Sequence, residues 1–324
     1  MLQAVDKRRP AGRRRTKPPV VRKGLKKEFF LSIPSYILVL PAIIVVGIFS
    51  YGPMYGLLLA FKDYRLDLGI LDSPWNHFEH FKRLFEMKDI WGITLNTVII
   101  SFGRILFEFP VPIIIAILLN EVNQRHYRKT LQTLFTLPNF LSWVVLAGVI
   151  KNFLRGDGFI NQVITTLGGD PVAFLTTPEL FKPMLFITSI WKGMGWSAIV
   201  YLATITNIDQ ELYDAATVDG ANRFQRILHI TLPAMRGIIT LSLLMSTANI
   251  LNAGFDQIFN LMNDVVREAG QIIDTYIYQI TFQKMPDYGF STAVGLIKGV
   301  VNCALLLTAD KIVRLAGGKG LYNA

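Results

Sequence analysis

Apolar residues along this chain gather in runs close to twenty residues long, the length that crosses a hydrocarbon core of roughly 30 Å at about 1.5 Å per residue. Six runs are predicted as membrane-spanning helices, at about 36–61, 95–119, 131–150, 184–204, 238–253 and 290–308. Pro110, Pro112 and Pro138 interrupt the second and third runs, and several polar groups fall at mid-span depth. Both features are costly in lipid unless neighbouring helices or a wet cavity satisfy the freed groups, so the pattern predicts an all-α bundle with an interior. Gly295 and Gly299 form a Gly-x-x-x-Gly pair that would permit close helix contact in the last run. Tyr51 and Tyr55 suit interface anchors, and Trp191, Trp196 and Tyr201 suit either anchors or cavity walls.

Composition agrees with a polytopic membrane protein. Of 324 residues, 52% are hydrophobic and 17% charged, which argues against a soluble enzyme, a coiled coil or a disordered chain. The single cysteine, Cys303, lies inside the last run, leaving no disulfide framework and no Cys/His zinc site. The net charge of +10 is concentrated at the start, where eleven Lys and Arg fall within the first 27 residues. Pro10, Pro18 and Pro19 discourage a helix there. Residues 1–30 are therefore expected to be a basic cytoplasmic tail set against anionic membrane lipid, ahead of a transmembrane domain over 31–324. No aromatic residue interleaves with the clusters to stack on bases, so nucleic acid is not an expected partner. The tail is also a poor signal peptide, because the apolar run after it is too long.

Six spans put both ends on one side of the membrane. The tail, 120–130, 206–237 and the end after 309 hold twenty Lys and Arg, whereas the opposite loops hold ten in a greater total length. By the positive-inside rule both termini are cytoplasmic. The residues supply no catalytic constellation and no metal ligand set: Walker, zincin, nucleophile-elbow and Cys-x-x-Cys patterns are all missing. His77, His80, His126 and His229 fall in connecting segments, and His77, Glu79 and His80 read as an exposed polar loop. Energy for uphill transport must then come from another subunit.

The segment 207–235 between the fourth and fifth runs is built unlike the outer loops. Asn207 or Asp209 can N-cap a short helix over about 210–218, with Leu212, Ala215 and Ala216 as a small apolar face. Gly220 breaks it at positive φ, Asn222 and Gln225 are spaced as a capping box for a second amphipathic helix, and Pro233 starts the fifth span. Asp214, Ala215 and Ala216, then Gly220, then Ile230, Leu232 and Pro233 reproduce, in both gaps, the Glu-Ala-Ala motif of permease subunits of type I ABC importers. Aspartate in place of glutamate is the departure, and it shortens the reach of any salt bridge. With WKGMGWSAIVYLATITNID just upstream, the chain after about residue 30 resembles the carbohydrate and oligosaccharide branch.

The resemblance implies the type I importer permease fold with a cytoplasmic coupling helix, in a bacterial inner membrane. It further implies a second homologous permease subunit, two ATP-binding cassette subunits that hold ATP and Mg, and an extracytoplasmic solute-binding protein. No cofactor is expected on this chain. The polar residues expected along a solute path are Arg104, Glu108, Lys192, Asn249, Asn252, Lys298 and Asn302. Arg104 and Glu108 are four apart and suit a mutual ion pair, and Asn249 and Asn252 share a helical face, whereas Lys192 and Lys298 have no acidic partner in their own spans. Three cations against one anion favour an acidic or polar saccharide. Similarity in the motif region and in length to permeases that import alginate oligosaccharides implies a polyuronate. A neutral sugar, an amino acid or phosphate stays open as an alternative solute, and a stand-alone channel or an intramembrane hydrolase as an alternative class.

Overall fold

The computed structural model of the chain describes residues 25–283 and 286–315, with side chains from residue 33 onward. Of the expected basic tail, residues 1–24 lie outside the described residues. The chain divides into two compact units, Met1–Gly56 and Leu57–Ala324. In the first, the helix Leu25–Val46 passes into a wide turn at Gly47–Tyr51, and the side chains from Pro34 to Tyr55 are exposed. The second holds the functional residues.

Among the described residues the chain is helical, with two isolated bridges as its only extended pairings. Five helices are long and apolar enough to cross a membrane: Ile33–Phe61, Lys88–Asn120, Pro178–Thr206, Arg223–Ala248 and Tyr288–Leu315. A sixth span arises if the bent pair Arg125–Phe140 and Trp143–Thr166 is counted as one. Pro110 and Pro112 do not interrupt their helix. A π turn at Arg104–Glu108 ends two residues before Pro110, and π turns at Gly47–Tyr51 and Ile227–Thr231 end two residues before Pro53 and Pro233. A proline ring clashes with the carbonyl four residues back. Widening the preceding turn moves that carbonyl aside, and the residue before each proline then donates five residues back, as Phe109 N does to Arg104 O at 3.2 Å. For the same reason the second amphipathic helix expected after Gly220 is not separate from the fifth span, since Arg223–Ala248 is continuous through Pro233.

Pro138 marks the real break. The run expected at 131–150 ends its first half in a 3₁₀ turn at Leu137–Phe140, Leu141 is extended, and Ser142 caps the next helix by accepting from Val145 N at 3.3 Å. The two halves meet at 102°. The helix Pro178–Thr206 seats this break. A Cβ on Gly195 would lie 2.2 Å from the Phe135 carbonyl, so only glycine admits the backbone of the first half. Three residues earlier, Lys192 Nζ donates to Asn139 O at 2.9 Å and Leu141 O at 2.6 Å, supplying donors to the carbonyls that the break leaves without helical partners.

Packing runs along the same helix. Phe181 and Leu185 join Leu146, Ile150 and Ile258 in one buried cluster, while Ala198, Tyr201 and Ile205 join Ala116, Leu119 and Met235 in another. A third cluster brings Leu84 and Ile90 against Tyr276, Phe290 and Val294. The segment 256–289, which the six predicted spans leave as one of the three loops opposite the termini, is largely packed structure: it forms helices Phe255–Leu261 and Ile273–Tyr278 with Gln257, Ile258, Thr275 and Tyr276 buried. These helices are too short to register as spans. A Cβ added at Gly295 or Gly299 would meet no atom within 4 Å among the described residues.

Candidate functional site

Arg104 organises the interior. Its position on the π turn sets the guanidinium toward three other elements at once. Nη1 donates to Glu108 Oε1 at 2.9 Å and to Ser189 Oγ at 2.8 Å, and Nε donates to Ala253 O at 3.1 Å. Nη2 donates to Gln257 Oε1, whose own Nε2 donates to Leu185 O and Thr188 Oγ1, each at 2.8 Å. Ser189 Oγ completes the ring by donating to Glu108 Oε2 at 2.9 Å. The ion pair expected from the four-residue spacing is therefore present, within a network that joins the helix Lys88–Asn120 to Pro178–Thr206 and to Phe255–Leu261. Gly254 is required twice over: its φ is +80°, and a Cβ there would lie 2.3 Å from Arg104 Nη2. Ala253, at φ +44°, holds an uncommon conformation for a residue with a side chain, fixed by the bond from Arg104 to its carbonyl.

Beside this network lies a cavity of about 480 Å³, where Arg104 and Glu108 meet Trp196, Ser246, Asn249 and Asn252. Asn249 and Asn252 reach it by a route the sequence did not indicate. The helix stops at Ala248, a 3₁₀ turn spans Ile250–Asn252, and Asn252 Nδ2 donates to Asn249 Oδ1 at 3.2 Å. Serine, asparagine, an ion pair and a tryptophan face are groups suited to a hydroxyl-rich solute.

The remaining candidates sit elsewhere. Asn302 Oδ1 accepts from Leu251 N at 3.3 Å, which supports the turn behind the cavity. Lys298 finds the partner that its own span lacks: Nζ pairs with Asp274 Oδ1 at 2.5 Å and donates to Asn252 Oδ1 at 2.9 Å. Lys192 is held by carbonyls and stands 5.6 Å from the ring centroid of Trp143. The count of three cations against one anion changes accordingly, because Asp274 joins the interior and two of the cations are paired. Ser189, Gln257 and Asp274 escape a sequence search because neutral groups resemble ordinary span residues and because 256–289 resembles a loop.

The segment 207–235 follows its sequence reading closely. The helix Gln210–Val218 starts at Asp209, whose side chain accepts from Glu211 N at 3.0 Å. Gly220 has φ +80° with open space around it. Asn222 and Gln225 form the reciprocal capping box, at 2.8 and 2.9 Å. Asp214 and Ala215 are exposed and Ala216 is half-buried. Leu212, Val218 and Phe224 are more than half exposed, at 54%, 88% and 73%. Two bonds tie this helix to the next: Tyr213 Oη to Thr231 Oγ1 and Arg226 Nη1 to Thr217 Oγ1, each 2.9 Å. Ile230, Leu232 and Pro233 lie at that junction. Among the described residues no group of three His, Cys, Asp or Glu side chains is placed to hold a metal ion.

The chain is similar over most of its length to other bacterial proteins and to solved transporter structures. Protein LplB of Bacillus subtilis is 39% identical over 92% of this chain and 93% of its own. The polygalacturonan/rhamnogalacturonan transport system permease protein YteP of the same organism is 39% identical over 89% of each chain. Two solved structures superpose with 38% sequence identity. One is of a bacterial ABC transporter involved in the import of the acidic polysaccharide alginate, with a TM-score of 0.82 over 90% of this chain and 98% of the other. The second is of the bacterial alginate ABC transporter in complex with an alginate pentasaccharide-bound periplasmic protein, with a TM-score of 0.83 over 92% and 99%. The sequence pattern of the binding-protein-dependent transport system inner membrane components matches residues 108–314, so the chain, with its interior cavity and its exposed helix between two spans, belongs to that family of transport subunits.

Proposed function

We propose that this chain forms half of the translocation pathway of an ATP-driven oligosaccharide importer, with acidic, alginate-like chains as its substrate. One observation carries the reading. The exposed helix Gln210–Val218 is bonded to the foot of the continuous helix Arg223–Ala248, and the far end of that helix supplies Ser246 and, just beyond it, Asn249 to the cavity wall. From Thr231 to Ser246 the rise is about 22 Å at 1.5 Å per residue, so a push on the knob reaches the solute site through one rigid element.

In this reading Ala215 and Ala216 allow close approach of a partner ATPase subunit, and Asp214 fixes register by charge. Gly220 aims the knob, and Ile230, Leu232 and Pro233 form the joint. ATP and Mg are held by two such partner subunits, a second homologous permease forms the other half of the pathway, and an extracytoplasmic solute-binding protein delivers the oligosaccharide. Both termini and the knob are cytoplasmic. The acidic preference draws its support from the uronate polymers that similar proteins are named for, and Arg104, at the wall of the polar cavity, is the cation that would meet such a solute, whereas Lys192 is held by carbonyls and Lys298 by Asp274. A neutral oligosaccharide is the second reading, favoured by the pairing of Arg104 with Glu108 and of Lys298 with Asp274.

The test uses the assembled complex in liposomes. Asp214→Ala is expected to leave insertion and assembly intact while abolishing saccharide-stimulated ATP hydrolysis. Full stimulation in that variant would remove the coupling assignment. Stimulation by a neutral oligosaccharide equal to that by a uronate oligosaccharide of the same length would select the second reading.

A further inference from the structure

Asn252 and Gly254 line two cavities. Besides the polar cavity, these two residues line a second cleft of about 650 Å³, walled by Trp143, Phe255, Tyr278 and Phe282 and floored by Asp274 and Lys298. The rings are set in series: Phe255 to Tyr278 at 5.8 Å between centroids, then Tyr278 to Phe282 at 5.3 Å. Phe259 braces the first two from behind, 5.4 Å from Phe255 and 4.7 Å from Tyr278. Phe282, at the open end, is 69% exposed.

The floor is polar. Lys298 Nζ bonds Asp274 Oδ1 at 2.5 Å and Asn252 Oδ1 at 2.9 Å, and exposed Asp256 also lines the cleft. Neither a lipid tail nor a tightly packed helix would face two carboxylates and an ammonium, so the cleft is wet. A wet slot with aromatic plates on its walls and paired charges at its base matches one ligand chemistry, a carbohydrate, whose C–H faces lie on rings while its hydroxyls meet carboxylate and amide.

We propose that this cleft is a second saccharide subsite, continuous with the first, so that the chain of sugars is read by length. The inference rests on the oligosaccharide reading above. With Asp256 and Asp274 against Lys298, the subsite grips ring faces and hydroxyls and is indifferent to substrate carboxylates.

The experiment compares an alginate disaccharide with an alginate pentasaccharide as stimulators of ATP hydrolysis by the complete complex in liposomes. Phe282→Ala, at an exposed position, is expected to lower kcat/KM for the pentasaccharide by about two- to tenfold, the worth of one stacking contact, and to leave the disaccharide within about twofold. Adding Tyr278→Ala is expected to deepen the pentasaccharide loss, and Phe282→Trp to restore it. Equal loss for both lengths, or no loss for either, overturns the subsite while leaving the importer reading in place. Loss of assembly in Phe282→Ala also overturns it and makes the cleft a seam between the two permeases. If the wild-type complex responds to neither saccharide, the oligosaccharide reading falls and the subsite falls with it.

Discussion

The interior network and the exposed knob at 207–235 are built to opposite rules. Around Arg104 the hydrogen-bonding atoms of the guanidinium, of Glu108 and of Gln257 find partners from other elements of the same chain. The knob caps its backbone ends through Asp209, Asn222 and Gln225 and ties its own two helices through Tyr213 and Arg226, but leaves Leu212, Val218 and Phe224 to solvent. An unpaired charge inside a bundle is expensive, so the interior has to be complete before any partner arrives. An exposed leucine in water costs little, so the knob can wait. The contrast separates residues that hold the fold from residues that, in the function proposed above, transmit force.

The sharpest way to break that contrast is Arg104→Ala. It leaves Glu108 without its counter-charge, with Ser189 as its remaining partner, and removes three bonds to other elements, for an expected loss of about 3–5 kcal/mol, read as a lower unfolding midpoint and folded yield in detergent. Arg104→Leu combined with Glu108→Leu is expected to recover part of that loss, because no lone charge remains. Stability unchanged in Arg104→Ala would show that the network is not structural.

Gly195→Ala comes next. Its Cβ would lie 2.2 Å from the Phe135 carbonyl, and shifting that backbone is expected to cost about 1–3 kcal/mol. Labelling of cysteines placed on either side of Ser142 would report whether the broken span has come away from its seat.

Gly220→Ala is expected to be the mildest. No atom lies within 4 Å of the added Cβ, so the cost is confined to a positive φ, about 1–2 kcal/mol and local to the turn. The unfolding midpoint should hardly move, while saccharide-stimulated ATP hydrolysis falls because the knob is no longer aimed. A midpoint shift comparable to that of Arg104→Ala would erase the distinction between the two regions.

Much of this was legible in the residues. Helices of roughly span length announce themselves by composition, because twenty apolar residues have few other uses. The knob was legible in its detail, since Asp209, Gly220, Asn222 and Gln225 act on neighbours within a few positions and local chemistry is enough to place them. The prolines misled in part. Pro110 read as an interruption and Pro233 as the start of a span, yet each is absorbed by one widened turn inside a continuous helix, whereas Pro138 coincides with a true break that has Lys192 and Gly195 to support it from another helix.

The sequence by itself determined that the chain crosses a membrane, which residues are polar at depth, and where a capped helix projects between two spans, because each follows from periodicity or from short-range hydrogen bonding. Only the tertiary structure decided that Arg104 reaches Gln257 and Ala253, that Lys298 has Asp274 for a partner, and that four aromatic rings line a cleft beyond Asn252. Those contacts join residues from 24 to more than 150 positions apart, and such a pairing is fixed by how helices pack, which no local pattern encodes.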